Sequence, residues 1–298
     1  MLHALANIPG NRIYAVDIHE SLMPYSAADR DLVDYFSGDL SDRTFINRLQ
    51  NEQQFDCIIH LAAIISQSSD ANTYFSIMNS NIQATFLLLE MAKRYKSRII
   101  FPSTALVYGN QKGPFREDML PDPGDFYALS KQMCEQLIRF YKNRYDVPYV
   151  IFRIGILYGP SQANNMFIPS LVRSLLSQTD FPMTKGEQKR DFVFIEDLVF
   201  AVKIVLSRPD LAGTYNIGTG DAPMLKDVAL KAEELTGVRG KLKLGAVPYR
   251  EKESWEYCLD SSHAKRDMHW RPATNIAEGL ARTIAFEKSA NTVNKGAQ

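Results

Sequence analysis

Phe55–Ala63, FDCIIHLAA, is a short and nearly continuous apolar run. Such a run, too short for a helix, reads as a strand buried on both faces. Four more segments share the pattern: RIYAVD (12–17), VDYFSGDL (33–40), RIIFPS (98–103) and VPYVIFRIGILYG (147–159). Amphipathic stretches separate them, and the clearest helices run from about Asn72 to Tyr95 and from Tyr127 to Arg144. Apolar strands alternating with helices predict an α/β fold, a doubly wound parallel sheet covered on both faces. In such sheets a ligand lies beyond the carboxyl ends of the strands. The positions of interest are therefore Asp17, Asp39 and Leu40, Leu61 to Ala63, Ser103 and Thr104, and Gly155 onward.

Past Tyr158-Gly159-Pro160 the pattern loosens into loops, with a strand at GTYNIGTG (213–220) and helices near Lys226–Leu235 and Ile276–Ala285. The expected division is a nucleotide-binding domain over 1–157 and 190–220, a smaller substrate-binding lobe over 158–189 and 221–290, and a disordered polar tail over 291–298. Lys plus Arg and Asp plus Glu balance at 34 each, so net charge calls for neither nucleic acid nor an anionic membrane as partner. Cys57, Cys134 and Cys258 lie far apart and fit reduced thiols better than a disulfide framework. They and the scattered histidines have no metal-ligand spacing, and no metal is expected. With no apolar run of bilayer length and no cleavable leader pattern, the expectation is a soluble, cytoplasmic protein.

Chemistry is concentrated in DFYALSKQMCEQL (125–137), where Tyr127 and Lys131 stand four apart at the start of a helix and share one face. An ammonium there favours an ionised phenol, so Lys131 is expected to draw the tyrosine pKa down from about 10 and make Tyr127 a base for an alcohol hydroxyl. The same spacing recurs at Tyr108 and Lys112, but in a glycine-flanked loop without a helical face. FPSTALVYG (101–109) places Ser103 and Thr104 at the end of an apolar strand, where a hydroxyl can relay a proton.

Taken in order, these residues resemble the extended short-chain dehydrogenases/reductases, and within them the NAD-dependent nucleotide-sugar epimerase and dehydratase group. The resemblance runs from Met1 to about Phe286. It includes Asp17, GDLSD (38–42), HLAA (60–63), NIQATFLLLEMA (81–92), PSTALVYG (102–109), YALSK (127–131), RIGILYGP (153–160), RDFVFIEDL (190–198), YNIGTG (215–220) and SSHAKRDMHWRP (261–272). It implies a Rossmann-type domain that binds NAD. Asp17 would accept from the adenosine ribose and repel the extra phosphate of NADP. Asp39 and Leu40 would flank the adenine, and Leu61, Ala62 and Ala63 would pack along the cofactor, with Asn81 and Ser103 nearby. Lys131 would also bond the nicotinamide ribose, while Thr104 and Tyr127 serve as relay and base. For a nucleotide-diphosphate sugar, Arg190 and Arg250 would hold the phosphates, Asn165 would touch them, and Glu253 would contact the nucleoside ribose. The family also tends to form homodimers by pairing the two long helices.

Departures narrow the activity. The dehydratases carry an acidic pair directly after the catalytic threonine, and here those positions are Ala105 and Leu106, so elimination of water is disfavoured. Ile156 and Ile65 also replace family residues. The expected activity is a nucleotide-sugar 4-epimerase working through a 4-keto intermediate. A 4-keto sugar reductase or decarboxylase is the alternative, and a non-catalytic dinucleotide-binding scaffold is the reading outside enzymes. The family's first strand and glycine-rich turn do not occur in the sequence, which should open the middle of the sheet. The expectation drawn from this is a polypeptide that starts about 20 residues earlier.

Overall fold

The computed structural model describes residues 1–20, 33–66, 68–251 and 253–296, with side chains to residue 290. The chain divides into two units. Residues 1–107, 121–153 and 202–215 make the first, and 108–120, 154–201 and 216 onward make the second.

The first unit opens with helix α1 (Leu2–Ala6) and strands β1 (Ile13–Asp17) and β2 (Val33–Ser37). Helix α2 (Arg43–Glu52) and strand β3 (Cys57–Ile59) follow. Helix α3 (Ala71–Ile77) runs through a π-helical stretch, Met78–Gln83, into α4 (Ala84–Tyr95). Strand β4 (Arg98–Thr104), the long helix α5 (Phe126–Tyr145) and strand β5 (Tyr149–Ile154) come next. Aspartates set the helix starts, because a short carboxylate can satisfy amides that the first turn leaves unpaired. Asp42 accepts from the Thr44 amide at 2.7 Å, Asp70 from Thr73 at 2.9 Å and Asp125 from Ala128 at 2.7 Å.

Pairing is parallel within β1–β2, from Ile13 opposite Val33 to Asp17 opposite Ser37, and within β3–β4, from Cys57 opposite Arg98 to Ile59 opposite Ile100. The β1–β2 pair is a sheet of its own, and β3 is the last strand of a four-stranded sheet. The sheet is thus divided between β1 and β3, where the sequence reading expects an opening. Exposure follows: all three residues of β3 are only half-buried, whereas five of the six in β5 are buried. What holds the halves is apolar packing on the helices, with Val16, Phe36 and Ile58 lying against Phe45, Ile46, Leu49, Leu87, Leu88 and Met91. A further core joins Leu89 and Ala92 of α4 and Cys134, Ile138 and Tyr141 of α5 to Ile99, Phe101 and Ile151 of the sheet.

The second unit is built from β6 (Ile156–Tyr158), α6 (Phe167–Leu176), β7 (Phe181–Met183), β8 (Lys189–Arg190), β9 (Phe192–Phe194) and the start of α7 (Ile195–Ser207). After β10 (Gly213–Ile217), which completes the four-stranded sheet in the order β10-β5-β4-β3, come α8 (Leu225–Thr236), β11 (Leu242–Leu244), β12 (Glu256–Tyr257), α9 (Ser262–Asp267) and α10 (Ile276–Gly296). Three parallel pairs, β6–β9, β7–β11 and β8–β12, surround a core of Leu171, Val172, Phe192, Phe194, Val228 and Leu280.

The apolar run over 147–159 is two strands, not one. At Gly155 the ladder changes partner: its amide donates to Ile217 and the next amide donates to Asp191, at 3.0 and 2.7 Å. A Cβ there would lie 2.6 Å from the Asp191 carbonyl, so only glycine permits the approach. Segments 108–120, 154–157, 190–201 and 216–220, expected from sequence in the nucleotide-binding domain, fall in the second unit. The expected tail is helical through residue 296, and residues 297–298 lie outside the described residues.

Candidate active site

Tyr127 and Lys131 sit on the inward face of α5, 8% and 4% exposed. The Lys131 Nζ rests 4.2 Å from the centre of the Phe101 ring, a contact that favours a cation in a dry place. Burial nevertheless dominates both groups. It pushes the phenol of Tyr127 up to about 12, with the Asp125 carboxylate adding to the rise. It holds the ammonium of Lys131 down to about 8, against smaller opposing effects of Cys134 and Glu135. The expectation that Lys131 depresses the tyrosine pKa is therefore corrected for this state, since desolvation penalises the charged form of each partner more than proximity rewards it.

Thr104 ends β4, half-buried, and its Oγ1 accepts from the Leu106 amide at 3.2 Å. Ser103, 5% exposed, instead donates to Glu135 Oε1 at 2.6 Å, so its hydroxyl is directed at a carboxylate under the site. Asn81 lies in the π-helical stretch and is 2% exposed. Its Oδ1 accepts from the Ile64 amide at 2.8 Å, and its Nδ2 donates to the Ile64 carbonyl at 3.2 Å and to Ser130 Oγ at 2.9 Å. Ser130 in turn donates to the Tyr127 carbonyl at 2.7 Å. Both amide protons of Asn81 are engaged, and they fix the loop after β3 to α5. His60, fully buried, is held down to about 3 by burial and by Lys131, and its Nε2 lies 3.0 Å from Thr85 Oγ1.

Toward the strand ends, Asp17 is exposed and accepts from the His19 amide at 3.1 Å. Leu61 and Ala62 are exposed and Ala63 half-buried, and Leu61, with 51% of its surface open, continues into exposed Ile64 and Ile65. Asp39 is engaged locally, accepting from the amide and hydroxyl of Ser41, both at 2.8 Å, while Leu40 packs on the core under α2. Both residues, expected from the resemblance to flank the adenine, lie just ahead of α2.

In the second unit Arg190 donates to Glu253 Oε1 at 2.7 Å, with both side chains mostly buried, and its guanidinium lies 5.1 Å from the centre of the Tyr257 ring. Burial lowers the Arg190 pKa, and Arg250 works in the same direction while Glu253 opposes it. Arg190, Glu253 and exposed Arg250 are thus one cluster with more positive than negative charge. Asn165 is an exposed turn residue ahead of α6.

Three residues outside the predicted site matter locally. Glu135, with no exposed surface, and Arg153, 1% exposed, form a buried bidentate pair at 2.8 Å (Arg153 Nη2 to Oε2) and 3.1 Å (Nε to Oε1). Their signal was present as an arginine inside an apolar strand and an acid one turn beyond Lys131. Asp191, fully buried in the RDF motif, accepts from the Thr219 amide and hydroxyl at 2.7 and 2.6 Å and from the Leu259 amide at 3.2 Å.

Residues 2–218 match the family model described as the NAD dependent epimerase/dehydratase family. The chain belongs to this family. A curated relative, the uncharacterized UDP-glucose epimerase YtcB of Bacillus subtilis, is 35% identical over 242 residues, covering 78% of this chain and 75% of its own length. The dTDP-glucose 4,6-dehydratase of Salmonella typhimurium is 26% identical, covering 93% and 85% respectively. Among solved structures, the UDP-glucuronic acid 4-epimerase of Bacillus cereus, in complex with UDP-glucuronic acid and NAD, superposes with a TM-score of 0.85 at 25% identity, covering 97% of this chain and 95% of that one.

The family's cofactor is NAD, and this chain's residues can be tested for it. A carboxylate at the end of β1 suits ribose hydroxyls, and an exposed apolar ledge at Leu61 and Ala62 suits a flat heterocycle or its sugar. These fit the nucleoside parts of NAD. No glycine-rich turn for the pyrophosphate occurs among the residues of the sequence. No group of three or more possible metal ligands exists among the described residues.

Proposed function

We propose that the protein is an NAD-dependent nucleotide-sugar 4-epimerase acting through a 4-keto intermediate. The observation that carries this reading is the buried Tyr127 and Lys131 on one face of α5, with Thr104 ending β4 and no carboxylate at Ala105 or Leu106. A base is thereby available for a sugar hydroxyl, while the acid and base needed to expel water from a neighbouring carbon are missing. Tyr127 takes the proton of the 4-hydroxyl, with Thr104 relaying it. NAD, when bound, would supply the hydride acceptor and a positive charge near the phenol, whose pKa burial holds at about 12. Lys131, retained as an ammonium, bonds the ribose and stabilises the tyrosinate. Asp17, Leu61, Ala62 and Ala63 hold the cofactor, supported by Ser103 and Asn81 from beneath.

Arg190 and Arg250 hold the diphosphate of the substrate, Asn165 touches it, and Glu253 turns from Arg190 to the nucleoside ribose. Anchoring through the nucleotide would leave the keto sugar free to rotate and present its opposite face to the site. UDP-glucose and UDP-glucuronic acid, bound or named by the relatives, are the first substrates to try.

The same reading makes the protein a cytoplasmic homodimer. Supporting this, Phe86 of α4 and Met133 and Phe140 of α5 are large apolar residues with 43, 42 and 54% of their surface exposed. No helix among the described residues is long and apolar enough to cross a membrane.

The test is incubation with UDP- and dTDP-sugars and NAD, followed by NMR of the sugar. Interconversion at C4 is expected. Net consumption of NADH, release of carbon dioxide or a 4-keto-6-deoxy product would reject the epimerase. Tyr127→Phe should lower kcat by about 10²–10⁴-fold without loss of fold, as removal of a general base does. Phe140→Asp should turn a dimer into a monomer in sedimentation.

A further inference from the structure

Glu135 is a charged residue with no exposed surface, placed one helical turn beyond Lys131 and two beyond Tyr127 on α5. Burying a carboxylate is costly unless every lone pair finds a donor. Here each does. Oε1 accepts from Ser103 Oγ at 2.6 Å and Arg153 Nε at 3.1 Å. Oε2 accepts from Arg153 Nη2 at 2.8 Å and Arg139 Nη2 at 3.0 Å. Arg153 lies on β5, and Ser103 is the residue next to Thr104 on β4. One carboxylate therefore ties the strand end that carries the relay hydroxyl, the adjacent strand and the helix that carries the base.

Charge gives it a second effect. The groups that bear on Lys131 are His60 beyond β3, the Phe101 ring on β4, and Cys134 and Glu135 on its own helix, with Arg153 and Arg139 against Glu135. His60 is neutral and Cys134 is a thiol raised by burial, so Glu135 is the anion of this set. Of the three cations, only Lys131 can lose its proton near neutral pH.

On the proposed reading of the reaction, we infer that Glu135 is its positioning residue. Through Ser103 it fixes Thr104 against α5, and through its charge it keeps Lys131 an ammonium in a buried place.

The test pairs two variants with two measurements. In Glu135→Gln the shape is kept and the charge removed, and Lys131 is followed by ¹³Cε NMR titration, assigned with Lys131→Met. Its midpoint should fall by about one pH unit, the effect of losing an opposite charge at this range. The alkaline limb of kcat/KM should move down with it. In Ser103→Ala every ion pair remains, and kcat should fall roughly tenfold or more with KM unchanged, as expected of a displaced relay group. A folded Glu135→Gln protein with an unmoved Lys131 midpoint overturns the inference. So does a Ser103→Ala kcat within about twofold of the unmodified enzyme, and this variant decides alone if Glu135→Gln does not fold. Should the unmodified protein turn over no nucleotide sugar, the functional reading fails, and the Lys131 titration still decides the role of Glu135.

Discussion

Glu135 and Glu253 are both glutamates bonded to an arginine, at 2.8 and 2.7 Å, one in each unit. Their surroundings separate them. Glu135 is sealed, with two guanidiniums and a hydroxyl filling its lone pairs. Glu253 keeps a tenth of its side chain exposed, and Arg250 is exposed beside the pair. A sealed pair gains nothing by exchanging partners and is suited to hold geometry. A cluster with surplus positive charge and partial access can trade its internal anion for an incoming one, which is what a diphosphate requires.

The largest break of this comparison is Glu135→Ala. It strands Arg153 in a dry interior, and a loss of about 3–5 kcal/mol is expected in urea unfolding, enough to leave the protein marginal. Arg190→Met should leave stability nearly intact and raise KM for a nucleotide sugar by roughly tenfold or more, the size of a lost charge-assisted hydrogen bond. If instead it unfolds the protein with KM unchanged, the cluster is structural and the contrast disappears. Glu253→Gln keeps an acceptor for Arg190 and should do least, lowering stability by about 1–2 kcal/mol. Isothermal titration should then show UDP binding changed by no more than about threefold, because the weakened ribose contact and the lost competing anion offset each other.

A graded effect concerns His60. Its folded pKa is about 3 against an ordinary 6.5, so the unfolded chain binds the extra proton between those values. Stability should rise with pH across that window and be lost as the solution is acidified through it. Denaturation midpoints at pH 4, 5 and 6 should show a shallower slope for His60→Gln than for the unmodified protein, and an equal slope would refute the assignment.

The strands and long helices were legible because burial on both faces writes itself as continuous apolar runs and burial on one face as a helical period. Gly155 was not, since apolar character continues through it while its amide turns to another strand. The end of α10 was missed because its last residues are polar, and composition there resembles a frayed terminus. Tyr127 and Lys131 could be paired from their spacing at a helix start together with the hydroxyls of Ser103 and Thr104 at a strand end. Their pKa values could not, because desolvation depends on Phe101, His60 and the loop held by Asn81, none of which is adjacent in sequence. Taken alone, Glu135 carries no sign of its role in sequence, because its partner Arg153 stands on a strand 18 residues away.

The π-helical stretch Met78–Gln83 works as a phase adjuster. It lets α3 and α4 continue as one rod while the residues on either side are presented out of step, and the Asn81 carbonyl, loosened from regular pairing, is taken up by the Thr85 hydroxyl at 2.6 Å. Deleting a single residue here would restore ordinary winding and swing the preceding turn by about 100°. Among related sequences such a change would register as a one-position gap, and it would carry away the grip on Ile64.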